Sequence, residues 1–267
     1  MQHVVQPLTP ETAAPRKGWI ALVGAGPGAR DLLTFRAAAR IYAADVIFYD
    51  RLIEPELLDL ARPGAEKIFV GKEVGAHSWP QDRINAVITA AALAGRGVVR
   101  LKSGDPSVFG RACEELEAAR ALDLPVEIVP GVTAAAAAAA VLGRPLTERG
   151  ATDRLVMATA TCKPGDPAPD LAALLTPGAT LALYMAVQRL EEIAAQMRAA
   201  GLPGDLSVEI VASAGKPGER ILRTRLDRMA WDARAARIKN PAIILIRHPK
   251  PTAEAAATAR TATAAAL

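Results

Sequence analysis

Short apolar runs closed by glycine, proline or aspartate alternate with stretches of helical period through the first half of the chain. Trp19–Val23, 45–49, 67–70, 98–102 and 126–129 read as buried strands. The intervals 32–42, 55–60, 81–94 and 111–121 read as helices, with Ile84, Val87, Ile88 and Ala91 on one face of the third. This alternation predicts an α/β fold. An alanine run opened by Thr133 as N-cap follows, and 143–150 reads as a linker to a second half. There, 155–159, 180–185, 207–212, 220–224 and 241–246 are expected strands, the fourth being an antiparallel partner of the third. Helices are expected over 188–200 and 226–236. The ends lack any period, so the expected organisation is a loose arm (1–17), two α/β domains (18–143 and 144–250) and a tail (251–267).

Composition narrows this picture. At 267 residues and 51% hydrophobic content the chain can bury a sizeable core. A net charge of +4 suits an anionic ligand, but no basic block or basic stripe with interleaved aromatics is present, which argues against nucleic acid as partner. Cys113 and Cys162 have neither CxxC nor His spacing, which argues against a disulfide framework and a metal site and for a reducing, cytoplasmic setting. The N-terminus lacks a signal-peptide layout, and no apolar run approaches the ~20 residues of a spanning helix, so no membrane association is expected.

The candidate chemistry centres on Val98–Arg111, where a strand breaks into Ser103-Gly104-Asp105-Pro106 before a helix. Open α/β sheets bind ligands beyond the carboxyl ends of their strands. Gly104 lets a ligand approach the backbone, and Asp105 can accept from an amine or hydroxyl. Arg111 and Glu114, three apart on a helix start, form a pair or jointly address a ligand. The glycine loop Gly24–Asp31 approaches a dinucleotide fingerprint, but Pro27 interrupts it and Ala29 stands where the third glycine belongs. Asp50-Arg51 is a charge pair at another strand end, either a surface ion pair or one facing a polar cleft, and His77 is a lone loop histidine, of a kind more often surface or hydrogen-bonding than catalytic.

Taken together, these motifs resemble the tetrapyrrole methylase family. The match is carried by Val23–Gly28 with Asp31–Thr34, Tyr49–Leu52, His77-Ser78 with Pro80-Gln81 and Ile84-Asn85, Val99–Lys102 with Gly104–Pro106, Val108–Arg111 with Glu114-Glu115, Pro130–Ala134, and Pro145–Thr147 with Arg149. The resemblance implies two α/β domains with a cofactor cleft between them, a homodimer, and S-adenosyl-L-methionine as cofactor, with S-adenosyl-L-homocysteine as its product. Carried over by motif, cofactor positions are Pro27, Ser103, Gly104, Asp105, Val108, Thr133, Ala134, Met185, Ala214 and Ala242. Arg51, Lys102, Arg149 and Met185 become substrate-binding, since cations suit a tetrapyrrole carrying carboxylates. Arg111, Glu114 and Asp50 become catalytic, assisting proton loss from the methylated macrocycle.

The implied reaction is methylation of uroporphyrinogen III at C2 and C7 to give precorrin-2, for sirohaem or cobalamin. The alternatives are a related methylase acting on a later corrin intermediate or other heterocycle, and a non-catalytic binder of tetrapyrrole or cofactor. Ser103, Ala112-Cys113 and Ala160-Thr161 stand where the family usually has Gly, Gly-Gly and Gly-His. A Cβ at Ser103 crowds the ligand if that residue requires positive φ.

Overall fold

The computed structural model describes residues 17–71, 79–162 and 165–251; His77 and Ser78 lie outside them. In chain order the first elements are β1 (Trp19–Gly24), α1 (Phe35–Ala43), β2 (Val46–Tyr49), α2 (Pro55–Leu58), β3 (Glu66–Phe69), α3 (Gln81–Leu93), β4 (Gly97–Lys102), α4 (Ala112–Arg120) and β5 (Val126–Val129). The five strands form one sheet in the order β3-β2-β4-β1-β5, parallel throughout. One face, with Ile20, Leu22, Phe48 and Val98, packs with Ile84 and Ile88 of α3 and Ala112 and Ala119 of α4. α1 packs against β1 and β4, burying Ala37 and Ile41. A parallel sheet covered on both faces explains the apolar runs of its central strands. The first long helix begins at Phe35, later than expected, because 30–32 is a 3-10 turn and Thr34 caps α1 by accepting from the Ala37 amide at 3.1 Å.

The second set comprises α5 (Ala134–Leu142), β6 (Arg154–Thr159), α6 (Leu171–Leu174), β7 (Ala179–Tyr184), α7 (Leu190–Ala199), β8 (Ser207–Ala212), β9 (Arg220–Arg225), α8 (Met229–Ala235) and β10 (Ala242–His248). Its sheet runs β6-β7-β10-β8-β9, with β6 and β7 parallel and the other pairs antiparallel, including the expected β8–β9 pairing. α6 is one turn, capped by Asp170 accepting from the Ala173 amide. The buried residues of α6, α7 and α8 cover one face of this sheet, and α5 covers the other through Ala135, Ala138 and Leu142 against Ala182, Val211, Ile243 and Leu245.

The chain divides into two compact units. One takes the residues up to Ala25 and Thr34–Gly131; the other takes Gly26–Leu33 and everything from Val132 on. The change of unit therefore falls after Gly131, not after Gly143, and α5 belongs to the second unit because its small side chains are buried on the second sheet. Nor is 143–150 a free connector. Arg144 pairs with Glu209 at 3.2 Å, and Arg247 donates to the Pro145 carbonyl at 2.8 Å. Among the described residues no helix is long and apolar enough to cross a membrane, and no group of three or more His, Cys, Asp or Glu is placed to hold a metal ion.

Candidate functional site

In the first unit the strand order reverses between β1 and β4, whose ends lie in register, Gly24 opposite Lys102. Such a switch point opens a crevice beyond the strand ends. The backbones of Gly24, Gly104 and Gly131 meet there: a Cβ added at Gly131 would lie 2.2 Å from the Gly104 carbonyl oxygen, and one at Gly24 would lie 2.6 Å from the Gly131 nitrogen. The glycines thus let strand ends close on one another. Gly131→Ala is expected to cost at least the ~1–3 kcal/mol typical of overpacking, read as a lowered denaturation midpoint.

Gly104 is left-handed (φ 71°), whereas Ser103 is not among the residues with positive φ, so its Cβ carries no backbone strain. Asp105 accepts from the Ser107 hydroxyl, from the Ser107 amide at 2.8 Å and from the Gly131 amide at 3.0 Å. Its carboxylate therefore ties the turn together while staying partly exposed, with acceptor capacity left for a ligand. Val108, partly buried, donates its amide to the Asp105 carbonyl. Phe109 and Arg111 are both left-handed (φ 51° and 57°) on either side of Gly110, where a Cβ would strike the Pro106 carbonyl oxygen at 2.4 Å. Left-handed non-glycine residues concentrate where function holds them against strain.

Arg111 is the N-cap residue of α4 and grips Glu114 bidentately, Nε to Oε1 at 2.8 Å and Nη2 to Oε2 at 2.7 Å. The pair is exposed. That hydrogen bond, outweighing partial burial, raises the guanidinium above the ordinary arginine range, so Arg111 is a permanent cation and no base. Asp50, past the end of β2, accepts from the Leu52 amide at 3.0 Å and faces Arg100 at 3.6 Å. Arg51 beside it is exposed.

Lys102 is placed otherwise than a substrate-facing cation would be. It is buried, and its ammonium lies 2.7 Å from Oε2 of Glu115, whose Oε1 accepts from Arg100 Nε at 3.1 Å. Glu115 is fully buried. Burial, then the neighbouring Arg100, holds Lys102 below the ordinary lysine range, with Glu115 opposing. Between that lowered value and 10.5 the unfolded chain binds more protons than the folded one, so Lys102 makes stability rise with pH across that window. Lys102→Met is expected to flatten this rise in chemical denaturation series run at increasing alkaline pH.

In the second unit, Pro27, Thr133, Ala134, Met185, Ala214 and Ala242 collect at one end of the sheet. Tyr184, the last residue of β7, brings its hydroxyl to 2.6 Å from that of Thr133 and accepts from the Ala135 amide at 3.2 Å. Thr133 starts α5 as expected, but the capping oxygen belongs to Tyr184. Met185 is left-handed (φ 53°) and 46% exposed, its sulfur accepting from Thr161. Ser213, also left-handed, donates its amide to the Pro241 carbonyl, which holds Ala214 and Ala242 at neighbouring strand ends. A Cβ on Gly215 would sit 3.5 Å from Pro27, so the glycine loop docks on this turn, and Lys216 lies over Gly28. Arg149 is exposed in the turn closed by Glu148 and Thr152. Exposed Met157 and Met185 beside small, uncharged residues give this end of the sheet a soft, uncharged surface.

The residues that sequence reasoning missed are Arg100, Glu115 and Tyr184. Two cations at alternate positions of one buried strand, Arg100 and Lys102, were the available signal, because buried charges require partners. Tyr184 had no such marker.

Residues 20–230 match the family described as Tetrapyrrole (Corrin/Porphyrin) Methylases. Siroheme synthase 1 of Halorhodospira halophila is 42% identical over 240 residues, 90% of this chain and 50% of that protein. Siroheme synthase of Tolumonas auensis is 43% identical over 229 residues, 86% and 48% respectively. The chain thus spans about half the length of the curated relatives it matches. Among solved structures, a uroporphyrin-III C-methyltransferase from Thermus thermophilus complexed with S-adenosylhomocysteine is 35% identical with a TM-score of 0.73, covering 86% of this chain and 92% of that one. A cobalt precorrin-4 methyltransferase is 28% identical with a TM-score of 0.76, covering 90% and 98%. With a family match over most of its length, two α/β units of the same fold and relatives above 40% identity, the chain belongs to the tetrapyrrole methylases.

Proposed function

We propose that the protein is an S-adenosylmethionine-dependent C-methyltransferase that methylates uroporphyrinogen III at C2 and C7 to give precorrin-2. The observation that carries this reading is the Ser103–Glu114 segment, where a strand end at a switch point leads through two left-handed residues to an exposed, bidentate Arg111–Glu114 pair. The 35% identity to the Thermus protein supports the choice of substrate.

The residues fit the cofactor. Within the first unit Ser103, Gly104, Asp105 and Val108 offer backbone groups and one carboxylate; within the second, Pro27, Thr133, Ala134, Met185, Ala214 and Ala242 offer small or thioether side chains; the family resemblance assigns each set to the cofactor. When bound, S-adenosylmethionine would supply an electrophilic methyl group on a sulfonium centre. Asp105 accepts hydrogen bonds from its polar groups, and Met185 supplies soft contact to the macrocycle. Arg111 orients a substrate carboxylate, because its charge is fixed and its geometry is set by Glu114, and so holds the ring carbon in line with the methyl donor. Asp50, partly exposed at the end of β2, is the acceptor for the proton that the methylated ring sheds. Arg51 and Arg149 supply further carboxylate contacts. The protein works as a cytoplasmic homodimer in this reading.

A second reading, a methylase of a later corrin intermediate, is favoured by Ala112 and the exposed Cys113 beside Arg111, which add volume where the family usually has glycines. Anaerobic incubation with uroporphyrinogen III and S-adenosylmethionine, followed by mass spectrometry of the macrocycle, separates the two. Gain of two methyl groups upholds the first reading. No gain by protein that binds the cofactor sinks it and directs the assay to later intermediates.

A further inference from the structure

We infer that Glu115 is a positioning residue for the reaction, the node through which the first unit fixes the Arg111–Glu114 pair and Asp50 in one arrangement. This rests on the function proposed above. Glu115 touches no exposed surface: its two carboxylate oxygens accept separately from Arg100 Nε (3.1 Å) and Lys102 Nζ (2.7 Å), two cations on one face of β4. Arg100 carries the network on, its Nη2 lying 3.6 Å from Asp50 and its Nη1 donating to the Leu101 and Phe48 carbonyls at 3.0 and 3.4 Å. From α3, Gln81 donates to Glu115 at 3.4 Å and to Asn85 at 2.9 Å, and Asn85 donates to the Glu114 carbonyl at 3.2 Å. The first turn of α4 is thus held from β4 on one side and α3 on the other. It is the turn that carries Glu114 and follows the left-handed Arg111.

The charges balance: Arg100 and Lys102 against Glu115 and Asp50. A carboxylate used only to neutralise the interior could be removed together with one cation at little cost. A carboxylate that aims α4 could be removed so at little cost in stability but not in rate. The backbone at Arg111 sits in a sparsely populated region and holds there only while its surroundings over-determine it. Glu115 is the buried anchor nearest to it in the helix.

Glu115→Gln and the charge-balanced Lys102→Met/Glu115→Gln double variant test this. The single variant is expected to melt at lower temperature, and the double variant to recover most of that loss. In the double variant kcat for methyl transfer is expected to remain down about 10-fold or more, with KM for S-adenosylmethionine within about 3-fold. Recovery of kcat together with stability overturns the positioning role and leaves a structural one. Hydrogen exchange of peptides spanning 103–116 keeps the inference independent of the substrate assignment: exchange at least 10-fold faster in the double variant, with 19–24 unchanged, upholds it even where the wild-type protein methylates no tetrapyrrole. Unchanged exchange over 103–116 overturns it. Failure of the wild-type protein to transfer methyl groups counts against the proposed function alone.

Discussion

Arg111→Ala is expected to cut methyl transfer by about 100-fold or more, the scale on which a substrate misplaced by about 1 Å loses rate, while the melting temperature moves by no more than about 2 °C. The two halves of this expectation have separate causes. The Arg111 and Glu114 side chains are 57% and 41% exposed, so their ion pair contributes little to stability in water. Alanine accepts the left-handed backbone no better and no worse than arginine does. What disappears is a fixed fork of donors aimed from a rigid helix start. Arg111→Lys retains the charge but loses the bidentate geometry, and so should recover only part of the rate. Single-turnover methylation measured beside thermal melting checks both halves: a large melting shift, or a rate within about 3-fold of the wild type, would remove Arg111 from the catalytic apparatus.

The largest stability effect is expected from Glu209→Ala in the second unit. Glu209 and Arg247 are both buried, at 4% and 2% exposure, and paired at 3.0 Å, with Arg144 adding a second contact to Glu209. Arg247 Nη2 already lacks a hydrogen-bond partner within the protein. Removing the carboxylate leaves a guanidinium in the interior without a counter-charge, a change that typically costs about 3–5 kcal/mol. For a chain of this size that lowers the melting temperature by roughly 10 °C. It also releases Arg144, and with it the strap that follows α5. Glu209→Gln, which preserves volume, should cost nearly as much, and a paired Glu209→Leu/Arg247→Leu change should cost far less. Equal melting of Glu209→Ala and the wild type would show that the charge is compensated elsewhere.

The strands were legible because each carries its own signature. A parallel strand buried on both faces is apolar apart from charges that find a partner, so β1 and β2 announce themselves with boundaries good to a residue or so. The unit boundary was not legible for an equally physical reason. α5 is alanine at seven consecutive positions, and a helix with one side-chain type all round has no phase from which to tell which sheet it covers. Glu114 and Glu115 pose the same difficulty at smaller scale. They are adjacent and chemically identical, yet rotation along the helix buries one and exposes the other, and only the placement of α4 on β4 decides which. Lys102 followed from Glu115: implied by the resemblance to be a substrate-binding cation, it is half of an interior pair. Where a motif's role rests on backbone shape, as at Gly104-Asp105-Pro106, the local sequence was a sufficient guide to its place at the strand end.

On the role proposed for Arg111, its left-handed backbone sets thermal robustness against turnover. A side chain in that region costs ~1–2 kcal/mol that glycine does not incur. Any selection that rewards heat tolerance alone therefore pushes position 111 towards glycine, and with it discards the guanidinium. Directed evolution of this chain for industrial half-life would find that substitution early and keep it, and the resulting catalysts would be ranked in opposite orders by a melting curve and by a product assay.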